Sequence, residues 1–118
     1  MTIENNWLIL NTELRILEDI IEEININKGW YEDERTVGEE VALLHSEVSE
    51  LLEAYREQGF EDTIREDGKP EGVASECADI LIRLLDFTKR KKINLAIATK
   101  QKVEFNKTRG YKHGGKKL

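Results

Sequence analysis

The sequence predicts an all-α domain, a small four-helix bundle. Apolar residues recur at alternating spacings of three and four along most of the chain, and no segment alternates with the period of two that a strand requires. The only proline, Pro70, sits in a glycine-containing stretch between two such runs, where a loop belongs. With 118 residues and 39% hydrophobic content, the chain suits one core and is too short to divide into two. Residues 1–118 are therefore read as a single domain.

The first helix carries Ile3, Trp7, Leu10, Leu14, Leu17, Ile21 and Ile24 on one face, widened by Ile9, Ile16 and Ile20. That is more apolar surface than one packed face needs, so deep packing or a subunit contact is expected. Asn25 to Arg35 reads as a loop with two aromatics, Trp30 and Tyr31. Thr36 suits an N-cap with Glu39 in the capping-box position, and the second helix follows with Val37, Val41, Leu44, Val48, Leu51 and Tyr55. Gly59 ends it, and residues 59–72 form the main loop. The third helix carries Val73, Cys77, Ile80, Leu81 and Leu84, with Cys77 expected in the core. Lys89 to Lys92 suit the negative end of its dipole. A fourth helix is expected from about Ile93 to Thr108, followed by a basic tail from about residue 109 to 118.

Charge divides along the chain. From residue 89 onward there are 11 Lys or Arg and one acid, whereas the first 88 residues hold 23 acids and 7 bases. Metal is thus drawn to one part and phosphate to another. The acidic body also disfavours a long phosphate backbone, so specific nucleic-acid binding is not expected. No apolar run approaches the roughly 18 to 20 residues of a membrane span. The opening MTIENNWLIL lacks the features of a secretory signal, and a single cysteine suits a reducing compartment. A cytoplasmic protein is expected.

The chemistry concentrates in two carboxylate pairs, Glu47 with Glu50 and Glu76 with Asp79. Each is spaced i, i+3, which makes its members neighbours on one side of a helix. Either pair alone is commonly a solvated face. Two pairs on adjacent helices, each about 75° from the centre of an apolar stripe at 100° per residue, converge at the border of the core if the stripes face each other. Four carboxylates so placed repel, and a divalent cation relieves the repulsion. An all-oxygen set suits Mg2+, with Mn2+ as a substitute, while the two histidines and one cysteine form no iron or zinc pattern. Arg83, four residues after Asp79, is expected to pair with it or with a facing acid, and Asp86 continues the same stripe as outer support.

These motifs resemble a known family. HSEVSELLEAYRE, KPEGVASECADILIRLLD and the later KxxxNxxRxYxHGGKK are similar to the MazG-like all-α nucleoside triphosphate pyrophosphohydrolases, over about Gly29 to Lys117. The family signature is EExxE followed by ExxD; Ser46 stands in place of the first Glu, which leaves the metal count open. The resemblance implies Mg2+-dependent cleavage of a (deoxy)nucleoside triphosphate between its α and β phosphates, giving a monophosphate and pyrophosphate. It implies Glu47, Glu50, Glu76 and Asp79 as metal ligands, with Glu50 or Glu47 as the catalytic carboxylate. Lys102 and Asn106 match the family's last helix most directly.

Lys102, Asn106 and Arg109 share one helical face suited to phosphate, with Lys112, His113 and Lys116 arriving from the tail. Trp30 offers a flat surface for stacking on a base. A homodimer or homotetramer is expected from the apolar first helix and from the resemblance. The competing expectation is a non-catalytic helical module whose apolar faces drive assembly.

Overall fold

Four helices carry the fold: α1 (Ile3–Asn27), α2 (Val37–Gln58), α3 (Val73–Arg90) and α4 (Leu95–Thr108). The structure, a computed structural model, describes residues 3–110. Lys112, His113 and Lys116, expected at a phosphate site, lie outside the described residues. The all-α expectation holds, with one local exception. Within the loop after α2, Thr63–Ile64 (β1) and Pro70–Glu71 (β2) pair antiparallel in a two-residue ladder. So short a ladder leaves no alternating pattern to read.

The helix boundaries follow from local chemistry. Thr36 caps α2, its hydroxyl accepting from the Glu39 backbone N–H at 3.1 Å and donating to the Glu39 carboxylate at 3.3 Å. Asn94 caps α4 in the same way through Ile97 N–H. The start of α3 has no such side chain on its own cap residue, Gly72. Asp62 reaches across from the loop instead and accepts from Ala74 N–H at 3.4 Å. Gly72 makes this approach possible. It holds φ at +124°, and a Cβ there would lie 2.7 Å from the Asp62 carboxylate and 2.9 Å from the Glu61 carbonyl.

Among the described residues the main helix contacts are pairwise. In space α3 packs on α2 and on α1, while α4 packs on α1, so the order across the molecule is α2, α3, α1, α4. Leu85 is fully buried where α3 meets α1, joined by Ile21, Ala96 and Thr88. Trp7, Leu10, Leu14 and Leu17 are half-buried along α1, whereas Ile9, Ile16, Ile20 and Ile24 stay exposed. Cys77, expected in the core, is exposed, because α1 covers only the C-terminal half of that face of α3.

This openness has a global measure. The Cα radius of gyration is 17.3 Å, against about 13.5 Å for a compact chain of this length. None of the described helices is long and apolar enough to cross a membrane.

Candidate metal centre

The residues of α2 that turn towards α3 are Glu40, Leu43, Leu44, Glu47, Leu51, Ala54 and Gln58, all buried or half-buried and spaced at helical period. Glu47 lies at the middle of this row. The expected apolar stripe of α2 is split: Leu44 and Leu51 are half-buried in the row towards α3, and the rest of it is turned aside. Val37, Val41, Val48, Leu52 and Tyr55 are 39–53% exposed, turned about 90° away from the contact by helical arithmetic. The expectation that two apolar stripes meet across the core, with the carboxylates at its border, is therefore corrected. In antiparallel helices the stripes of α2 and α3 come out on the same side, and the carboxylates occupy the seam itself.

Oxygens of Glu47, Glu50 and Glu76 all lie within 4.8 Å of one another. Asp79 is not part of this trio but flanks it, and its charge acts on Glu76 more strongly than that of Glu50 or Glu47. Glu76 shows what the arrangement demands. Burial first, then repulsion from Asp79, Glu50 and Glu47, raises its pKa above the usual carboxylate value, with Lys69 opposing. One of its oxygens, Oε2, is buried and accepts no hydrogen bond. A buried acceptor without a donor is unfavourable unless a cation or water completes it. The donor set, all hard carboxylate oxygen, fits Mg2+ or Mn2+.

Arg83 meets the facing acid: its Nε donates to Glu47 Oε1 at 3.1 Å, in a pair whose carboxylate is only 12% exposed. This fixes one oxygen of Glu47 and leaves the other for the cluster. On the opposite side Lys69 joins Glu50, Glu76 and Asp79 around an acidic groove near the hairpin. Lys69 opens the KPEG motif, and the loop carries it back over the acids through the Arg65–Lys69 backbone bond, a closure that spacing does not reveal.

A cleft of about 260 Å³ opens beside the cluster, lined by Glu47, Glu50 and Asp79 at one end and by Trp30, Tyr31 and Asp86 among others. Trp30, predicted to stack on a base, is here and half-exposed, with the Arg35 guanidinium 6.0 Å from its ring. Tyr31 is not free for stacking. Arg90 covers its ring at 4.4 Å, and its hydroxyl donates to Asp86 Oδ1, the oxygen that also accepts from Asn25 Nδ2 at 3.0 Å. Burial, then the bond to Asp86, pushes the Tyr31 hydroxyl up to about 12. Asp86, expected as outer support for the acids, is instead a wall of this cleft. Sequence spacing gives no sign of the role of Asn25, whose partners lie 6 and 61 residues away.

The fourth helix does not reach this site. Lys102, Asn106 and Arg109 are exposed and line neither the cleft nor the acidic groove. Lys102 and Arg109 lie 5.9 Å from the ring of Phe105. From the turn after α3, α4 runs along α1 towards its N-terminus, as the 3.5 Å contact of Lys100 with Glu4 shows. The cleft is at the other end of α1, at Asn25. At 1.5 Å per residue, Glu4 and Asn25 are about 30 Å apart along the helix. Lys102, Asn106 and Arg109, expected on a face suited to phosphate, therefore lie away from the acids of their own chain, because α4 runs towards the other end of α1. No protein-family model, curated protein or solved structure matches the chain.

Proposed function

We propose that the chain hydrolyses a (deoxy)nucleoside triphosphate at the α–β phosphoanhydride, releasing nucleoside monophosphate and pyrophosphate. The observation that carries this is the Glu47–Glu50–Glu76 trio, with oxygens within 4.8 Å and a buried Glu76 oxygen lacking any donor. On the same grounds we infer membership of the MazG-like family that the motifs resemble. Bound at the trio and Asp79, Mg2+ (or Mn2+) would supply charge neutralisation for the triphosphate and a more acidic water.

The chain's own groups do the rest. Arg83 holds Glu47 in place. Glu50, exposed at the mouth of the cluster, takes the proton from the attacking water as its oxygen bonds to the α-phosphorus. The bridging oxygen then departs with pyrophosphate. Trp30 supplies a flat face for the base.

Lys102, Asn106 and Arg109 serve the phosphates of a neighbouring copy rather than those of their own chain, so the working unit is a homodimer or homotetramer. The exposed stripes of α2 and α3 supply its contact. A cytoplasmic setting suits the exposed Cys77 thiol. The exposed apolar faces equally favour a second reading, a non-catalytic assembly module. A screen of common NTPs and dNTPs with Mg2+ separates the two. Pyrophosphate release is expected, falling at least about a hundredfold in Glu50→Gln while helical circular dichroism persists. Orthophosphate as the primary product, or no turnover, would count against hydrolysis at this bond.

A further inference from the structure

At the end of the cleft away from the acids Asp86 is the hydrogen-bond acceptor on α3, while the Arg35 guanidinium lies across from it, beside Trp30 at 6.0 Å from the ring. Asp79 and Asp86 are seven residues apart on α3, two turns on nearly the same face, about 10 Å along the helix. That separation is on the scale of one nucleoside. A substrate with its phosphates at the acid cluster and its base towards Trp30 thus brings a base edge to Asp86.

The local bonding fixes how Asp86 presents itself. Oδ1 is occupied by Tyr31 and Asn25, two donors from the end of α1 and the loop after it. Oδ2 accepts no hydrogen bond from the described residues and is not sealed in the interior. A carboxylate oxygen held this way accepts only. It pairs with an exocyclic amine and opposes an exocyclic carbonyl. Tyr31 donates its hydroxyl to Asp86, and Asn25 Nδ2 donates to Asp86 at 3.0 Å and to the Tyr31 hydroxyl at 3.4 Å, so neither residue keeps a donor for a keto group.

Resting on the nucleotide hydrolysis proposed above, we infer that Asp86 reads the base and selects cytosine or adenine, which carry an exocyclic amine, over uracil and thymine. Asn25 and Tyr31 are positioning residues that aim the carboxylate.

The test compares kcat/KM for dCTP, dATP, dUTP and dTTP in the wild type and in Asp86→Asn, reading pyrophosphate. A charged hydrogen bond gained or left unpaired is worth about tenfold or more, so the amino bases should be favoured by that factor in the wild type. Asp86→Asn keeps the shape and can turn its amide N–H2 to the cleft. The ratio of dCTP to dUTP should then fall at least about tenfold, with the dUTP rate itself rising. A rise against dUTP distinguishes base reading from mere structural damage. Turnover of all four substrates at similar kcat/KM by the wild type would overturn the inference while leaving the hydrolase intact. So would a ratio unchanged by Asp86→Asn. No pyrophosphate from any of the four substrates, even at high enzyme concentration, would overturn the hydrolase and this inference together.

Discussion

Glu76 concentrates the electrostatic problem of the whole seam in one side chain. Its raised pKa means the folded chain disfavours the ionised form, so folding is penalised wherever Glu76 is charged. The sign follows directly. Below the unfolded value of 4.5 both states are protonated and there is no penalty; it grows as pH rises through the higher folded value. Glu76→Gln should therefore melt at a higher temperature than the wild type in EDTA at neutral pH. The gap should close as pH falls towards 4.5. Addition of Mg2+ should stabilise the wild type and leave the variant nearly unmoved. A variant that is less stable than the wild type in EDTA at pH 7 would mean that Glu76 is a structural acceptor and not a strained ligand.

At the scale of helices, two different meanings of an apolar stripe separate. On α1 the run from Trp7 to Ile21 marks the packed side, as the spacing predicts. On α2 Leu44 and Leu51 turn towards α3, but Val37, Val41, Val48 and Tyr55 of the same run mark a surface that the described residues leave exposed. Periodicity reports that a face must leave water, not which partner removes it. The carboxylate pairs were legible because i, i+3 spacing is a property of one helix. Their meeting at the α2–α3 seam, the Asn25–Tyr31–Asp86 cluster and the direction of α4 all depend on turns. The last of these rests on four residues, Lys91–Asn94, with Lys92 at φ 58°. If the α2 stripe is the contact between copies, Val48→Asp should weaken assembly. Burying a charge where a valine packs costs several kcal/mol, so sedimentation should shift towards monomer by at least about a hundredfold in dissociation constant. An unchanged sedimentation coefficient at micromolar protein would place the contact elsewhere.

The whole molecule exposes 9293 Å², against about 6600 Å² for a folded monomer of 13.7 kDa. Together with the large radius of gyration, this is a chain whose burial is unfinished. Its charge is unfinished in the same sense, since the acid cluster and the α4 cations Lys102 and Arg109 sit at opposite ends of α1. Under the proposed function, the acids of one copy and the α4 cations of another make one site. Two inactive variants, Glu50→Gln and a double Lys102→Ala, Arg109→Ala, should then regain activity when mixed and allowed to exchange subunits. For random pairing into dimers at equal amounts, about a quarter of the sites combine both intact halves. Recovery of nothing from subunits shown to exchange would mean that the α4 cations of one copy do not complete the acid site of another.

Under the proposed function, the direction of α4 would have a consequence for how activity answers to the abundance of the protein. A site split between copies has no unimolecular form, so at low expression the active species grows as the square of the amount of protein made. Between dilute and assembled regimes, a modest rise in synthesis would switch hydrolysis on steeply. A nucleotide pool would be spared by a few stray chains and drawn down only by a committed population.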